Sequence, residues 1–133
     1  MPSVRNILIV DDNDSVRSAL RSLIEATAGL RVCGEAADGL RAIEKTRELQ
    51  PDLILLDLAM PKLNGAATAS ILKHLIPRIP IILFTLYETA ADKLGLAVGA
   101  DLVLSKPDGL HDLVDKIQDL LEGRSPRNHA APA

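Results

Sequence analysis

The chain has 133 residues, is 47% hydrophobic and 25% charged, and carries a formal net charge of -3, the profile of one globular domain with a sizeable core. One Phe, one Tyr and no Trp leave few rings to stack on a flavin or on single-stranded bases, and a negative chain without a basic run is a poor ligand for duplex DNA. The lone Cys33 cannot form a disulfide within the chain, no apolar run approaches a membrane helix, and the N-terminus lacks a signal-peptide profile, so a reducing cytoplasm is the expected location.

Taken in chain order, the pattern alternates strand and helix five times. Ile7-Leu8-Ile9-Val10 predicts a first strand over about 6–10, ended by Asp11-Asp12. Val16, Ala19, Leu20 and Leu23 recur at helical spacing and predict a first helix over about 14–27, with Asn13 or Asp14 as its cap. A second strand follows at about 31–36, with Cys33 as a packed strand residue. A second helix covers about 39–49 and is stopped by Gln50-Pro51. The third strand is 53–56 and ends at Asp57; a loop through Met60, Pro61 and Asn64-Gly65 leads to a third helix at about 66–75. Two prolines, Pro77 and Pro80, stiffen the turn to a fourth strand at 81–84, which ends at Thr85. A fourth helix is expected at about 88–98, a fifth strand at 101–105 ending at Lys106-Pro107, and a fifth helix at about 109–121. Leu110, Leu113, Val114, Ile117, Leu120 and Leu121 form one stripe on that last helix, which should lie flat on the sheet. Residues 123–133 lack periodicity and are expected to be a mobile tail after a single domain spanning 4–122.

Strands alternating with helices predict an α/β fold, a doubly wound, five-stranded parallel sheet with helices on both faces. Such strands all end on one edge. That edge then carries Asp11, Asp12, Asp57, Thr85 and Lys106 in a single cleft. An order of 2-1-3-4-5, flavodoxin-like, makes the acidic strands 1 and 3 central neighbours beside a topological switch point. Crowded carboxylates repel, and a hard divalent cation offsets the repulsion. Carboxylates, a backbone carbonyl and water suit Mg²⁺, whereas zinc would want His or Cys. Asp57 is the natural nucleophile, since a carboxylate can accept a phosphoryl group as an acyl phosphate. Lys106 offers a positive charge to the phosphoryl oxygens and Thr85 a hydroxyl. A cis bond before Pro107, the minority state for X-Pro, would turn the chain sharply and hold Lys106 in the cleft.

These residues resemble the receiver domain of two-component response regulators. The resemblance runs from about 6 to 121 and rests on Ile9-Val10-Asp11-Asp12, on Asp57-Leu58-Ala59-Met60-Pro61 with Asn64-Gly65 following, on Thr85, and on Gly99-Ala100-Asp101 with Lys106-Pro107 following. Each piece alone is weak; all of them in order are specific. Gly34-Glu35-Ala36-Ala37-Asp38-Gly39 is similar to receivers that carry a helix-turn-helix output domain, and no such domain is expected within these 133 residues. The resemblance implies that Asp57 accepts phosphate from a sensor histidine kinase or phosphotransfer protein. It implies that Asp12, Asp57 and the backbone carbonyl of Ala59 bind Mg²⁺ directly, and that Asp11 acts largely through water. It implies that Lys106 and Thr85 contact the phosphoryl group, that Thr85 moves on activation, and that the face made by helix 4, strand 5 and helix 5 then signals to an output protein or to a second copy as a homodimer. Direct DNA binding, membrane association and turnover of outside substrates are not expected. The family's usual aromatic three residues before the Lys is Val103 here, and the usual small residue after the switch Thr is Leu86. Tyr87 is placed to replace part of that coupling or to pack over the cleft, and Gly95 falls inside the fourth helix, where it costs about 1 kcal/mol relative to Ala.

Rival readings meet specific obstacles. A phosphatase of the haloacid dehalogenase kind wants a second Asp two residues after the nucleophile, where this chain has Ala59. A nucleotide-binding Rossmann domain wants a Gly-rich first turn, where this chain has Asp11-Asp12-Asn13-Asp14. A pseudo-receiver would lack some of the phosphorylation positions, and all are present. His74, His111 and His129 fall away from the cleft, and Asp112, Asp115, Asp119 and Glu122 read as a solvated helix face.

Overall fold

A computed structural model describes residues 4–57, 65–85 and 100–123, with backbone alone at 85, 103, 105 and 106–111. Among the described residues nine elements follow one another: β1 (Arg5–Val10), α1 (Asp14–Glu25), β2 (Leu30–Ala36), α2 (Gly39–Leu49), β3 (Leu53–Asp57), α3 (Gly65–Leu75), β4 (Ile81–Thr85), β5 (Leu102–Ser105) and a last helix, α4 (Lys106–Leu121). The five strands form one parallel sheet in the order β2-β1-β3-β4-β5. Four of the five expected helices are found among the described residues; the one expected at about 88–98 lies outside them, as do the tail residues 124–133.

Alternating side chains of the central strands divide the core in two. Ile7, Ile9, Leu53, Leu55, Ile82 and Phe84 face Leu20 and Ile24 of α1 and Leu113 and Ile117 of α4. Leu8, Val10, Ile54, Leu56, Ile81 and Leu83 face Ala42 of α2 and Ala69 and Leu72 of α3. A strand buried on both faces reads as a continuous apolar run, which is why β1, β3 and β4 were visible as such. Each fully buried Leu or Ile contributes about 1.5–3 kcal/mol of transfer free energy. Gly34 of β2 sits under α2, where a Cβ would fall 2.7 Å from the Leu49 Cδ1 methyl. The β1–β2 register shifts between Ile7 and Leu8, and Cys33 is the residue of β2 without a partner there.

Caps and carboxylates finish the elements. The Asn13 side chain accepts from the Val16 N–H and caps α1; Asp38 does the same for Arg41 at the start of α2. α2 ends at Gln50 in the left-handed conformation, φ 48°, immediately before Pro51. At the pole opposite the strand C-termini, Asp52 accepts from the Asn6 N–H at 2.7 Å. Asp101 accepts from the Ile81 N–H and pairs with Lys73 Nζ, both at 2.8 Å, which ties the end of α3 to the start of β4. α4 begins at Lys106, three residues before the expected start near Gly109. The first turn of a helix needs no N–H donors, so Pro107 does not stop it. No cis peptide bond occurs among the described residues.

Candidate functional site

The strand ladder brings the predicted stations to one edge. Val10 pairs with Leu56, so Asp11 emerges beside Asp57. Asp57 pairs with Phe84, and Thr85 with Ser105, so residues 57, 85 and 106 follow along the same edge. Asp11 is 2% and Asp57 5% exposed, while Asp12 faces solvent. Carboxylate oxygens of Asp11, Asp12 and Asp57 all lie within 4.8 Å of one another. The side chains of Thr85 and Lys106, and Ala59 altogether, lie outside the described residues.

Two ionised carboxylates at this separation repel by about 3 kcal/mol at an effective dielectric of 20. The backbone moderates this at Asp11. Its Oδ1 accepts from the Asn13 N–H at 2.9 Å, and its own N–H donates to the Ala36 carbonyl at 3.0 Å. The donor set is oxygen only, clustered and half open to water. It fits a hard, oxygen-seeking divalent cation and gives a soft metal nothing to bind.

A second layer of charge lies behind the acidic group. The Arg17 guanidinium donates from Nη1 to the Asp11 backbone carbonyl at 2.5 Å, from Nε to Glu35 Oε1 at 2.9 Å, and to the Asp14 carboxylate. Arg21 Nε donates to the other Glu35 oxygen at 2.7 Å. Arg17 and Glu35 did not stand out in the sequence. The available signal was an Arg one helical turn after the Asn13 cap, facing an acidic residue in the strand that pairs beside β1. Desolvation pushes the Glu35 carboxyl up, but the hydrogen bonds from Arg21 and Arg17 outweigh it and hold the group below its ordinary 4.5. A carboxyl with a depressed folded-state pKa adds stability that is present above the unfolded value and lost as pH falls through the folded one. Thermal unfolding measured against pH should therefore drop below about pH 4.5, and Glu35→Gln should flatten that part of the curve. Parallel curves for the two proteins would refute this assignment. Cys33 is half-buried, donates to the Ile7 carbonyl at 3.5 Å, and its thiol is pushed up by burial, a packed strand residue as expected.

Comparison with known proteins identifies the fold's relatives. The response regulator receiver domain family matches residues 7–118. The response regulator protein VraR of Staphylococcus epidermidis is 33% identical over 120 residues, which cover 90% of this chain and 57% of that protein. A protein-glutamate methylesterase/protein-glutamine glutaminase of Methanospirillum hungatei is 35% identical over 111 residues, 80% of this chain and 32% of that protein. The chain thus spans little more than half the length of the VraR relatives. Among solved structures, a LuxR-family two-component response regulator from Aurantimonas superposes with a TM-score of 0.86 at 31% identity, covering 92% of this chain and 89% of that one. The response regulator domain of Thermotoga maritima CheB superposes with a TM-score of 0.79 at 28% identity, covering 94% and 98%. No helix among the described residues is long and apolar enough to cross a membrane.

Proposed function

This chain belongs to the response regulator receiver domain family, and from that membership we propose that it is a phosphoacceptor, with Asp57 as the residue that takes the phosphoryl group. The observation that supports this most is the convergence of the Asp11, Asp12 and Asp57 carboxylates within 4.8 Å at the C-terminal edge of the sheet. Family membership points to a sensor histidine kinase or phosphotransfer protein as donor. An Asp57 oxygen attacks the phosphorus, the P–N bond to the donor imidazole breaks, and the imidazole leaves with that electron pair. Asp12 and Asp57, with the Ala59 carbonyl, would hold Mg²⁺ directly and Asp11 through water, and the bound ion would neutralise charge on the phosphoryl oxygens.

The chain's own groups supply the rest. Lys106 opens α4 at the end of β5, where an ammonium can reach the oxygens of a phosphoryl group on Asp57. Thr85 ends β4 between them, where a hydroxyl can donate to the same oxygens. A hydroxyl that gains this acceptor on phosphorylation can favour one of two arrangements of the chain that follows. The output surface is then the region expected to form a helix at about 88–98, together with β5 and α4. Its partner is an output protein or a second copy, in the cytoplasm. Residues 4–122 form the receiver unit and 123–133 a tail, and the negative net charge disfavours direct DNA binding by this stretch.

Incubation with acetyl phosphate and Mg²⁺ should add one phosphoryl mass to the intact protein, and chelation of the metal should prevent it. No mass gain with a donor that phosphorylates other receivers under the same conditions would count against the reading.

A further inference from the structure

We propose that Arg17 is a positioning residue of the acidic site: its guanidinium sets the Asp11–Asp12 peptide so that the Asp12 carboxylate points at Asp57. This rests on the metal-binding phosphoacceptor reading above. Residue 11 is held from three directions. Its N–H goes to Ala36 of β2, its carboxylate accepts from the Asn13 N–H, and its carbonyl accepts from Arg17 Nη1. The last of these fixes the plane of the peptide from which Asp12 departs. Asp12 needs that constraint, because it faces solvent and makes no hydrogen bond or ion pair among the described residues. Among the described residues no other contact orients it toward the other two carboxylates.

Arg17 is itself held. Its side chain is 15% exposed, and Glu35 takes its Nε on one oxygen while taking Arg21 on the other. A chain of hydrogen bonds therefore runs from Arg21 through Glu35 and Arg17 to the Asp11 carbonyl, linking the edge strand β2 to the centre of the sheet. Arg17 suits this role because one planar fork can serve three acceptors at once, namely the carbonyl, Glu35 and Asp14. A Lys at this position has a single ammonium and cannot reproduce that fan. Partners behind metal ligands orient them in this way in many sites, and their removal weakens metal affinity by about 10–100-fold.

The test is a calorimetric Mg²⁺ titration of the full chain beside amide exchange of the metal-free protein. Arg17→Ala should raise the Mg²⁺ Kd about 10-fold, with Arg17→Lys only partly restoring it and Glu35→Gln showing a smaller rise. Exchange at the Asn13 amide, whose N–H is bonded to Asp11, should speed up in Arg17→Ala without any metal present. A purely structural role would lower the melting temperature and leave both the Kd and the local exchange unchanged; that outcome overturns the proposal. Asp12→Ala distinguishes loss of the metal site from loss of the Arg17 contact. Wild-type binding that is lost in Asp12→Ala but fully kept in Arg17→Ala overturns the role of Arg17 alone. A wild-type chain that takes up no Mg²⁺ overturns the phosphoacceptor reading and this inference with it.

Discussion

Replacing Asp57 by Asn should reduce phosphoryl labelling by at least about 100-fold, because it removes the nucleophile together with one carboxylate of the proposed metal site. Asn keeps the size and planar shape of the side chain, so the well-packed end of β3 is not disturbed. Its amide oxygen is neutral and a poor nucleophile toward phosphorus. The change also removes one of three clustered negative charges, so the metal-free fold should not lose stability on that account. Asp52→Asn is the matching control. Asp52 precedes the same strand but lies at the opposite pole, bonded to the Asn6 N–H, and its substitution should leave labelling at the wild-type level. Intact-protein mass after acetyl phosphate treatment reads both variants. Equal labelling of Asp57→Asn and wild type would remove Asp57 as the acceptor.

Ile54→Ala should destabilise the fold by about 2–5 kcal/mol, the range for emptying a fully buried site. Ile54 is 0% exposed in the central strand, paired with Leu8 on one side and Ile81 on the other. Its face packs in the cluster that holds Ala42, Ala69 and Leu72. Hydrogen-bonded ladders on both sides keep the neighbouring strands in place, so the site cannot collapse to fill the void. A domain of this size has about 5–15 kcal/mol to lose, and the melting temperature should fall by on the order of 10 °C. Leu40→Ala, at a side chain 53% exposed, should stay within about 0.5 kcal/mol. Urea unfolding of the two variants side by side checks the contrast. A loss below about 1 kcal/mol for Ile54→Ala would mean that this half of the core is loosely packed.

The two variants probe features of different legibility. Ile54 belongs to a run, Leu53–Leu56, that announced a buried strand by its own composition, and the same holds for Ile7–Val10 and Ile81–Phe84. The caps were readable too: Asn13 caps α1, and Gln50-Pro51 closes α2. The start of the last helix was placed three residues late, because Lys106-Pro107 was read as the strand end and a candidate turn, whereas the first helical turn tolerates a proline. The Lys73–Asp101 pair and its bond to the Ile81 amide were not legible at all. They join residues whose proximity depends on how α3 returns to the sheet.

The sequence by itself determined the fold class, the strand order and which carboxylates would share an edge. Period and composition are local properties, and a parallel sheet leaves few ways to connect such strands. Only the tertiary structure decided that Asp11, Asp12 and Asp57 approach within 4.8 Å, and that Arg17 reaches the Asp11 carbonyl while Glu35 holds it from β2. Those contacts join residues on different elements. They are set by strand register and by the rotation of α1 over the sheet, which many side chains packed together determine and no single segment encodes.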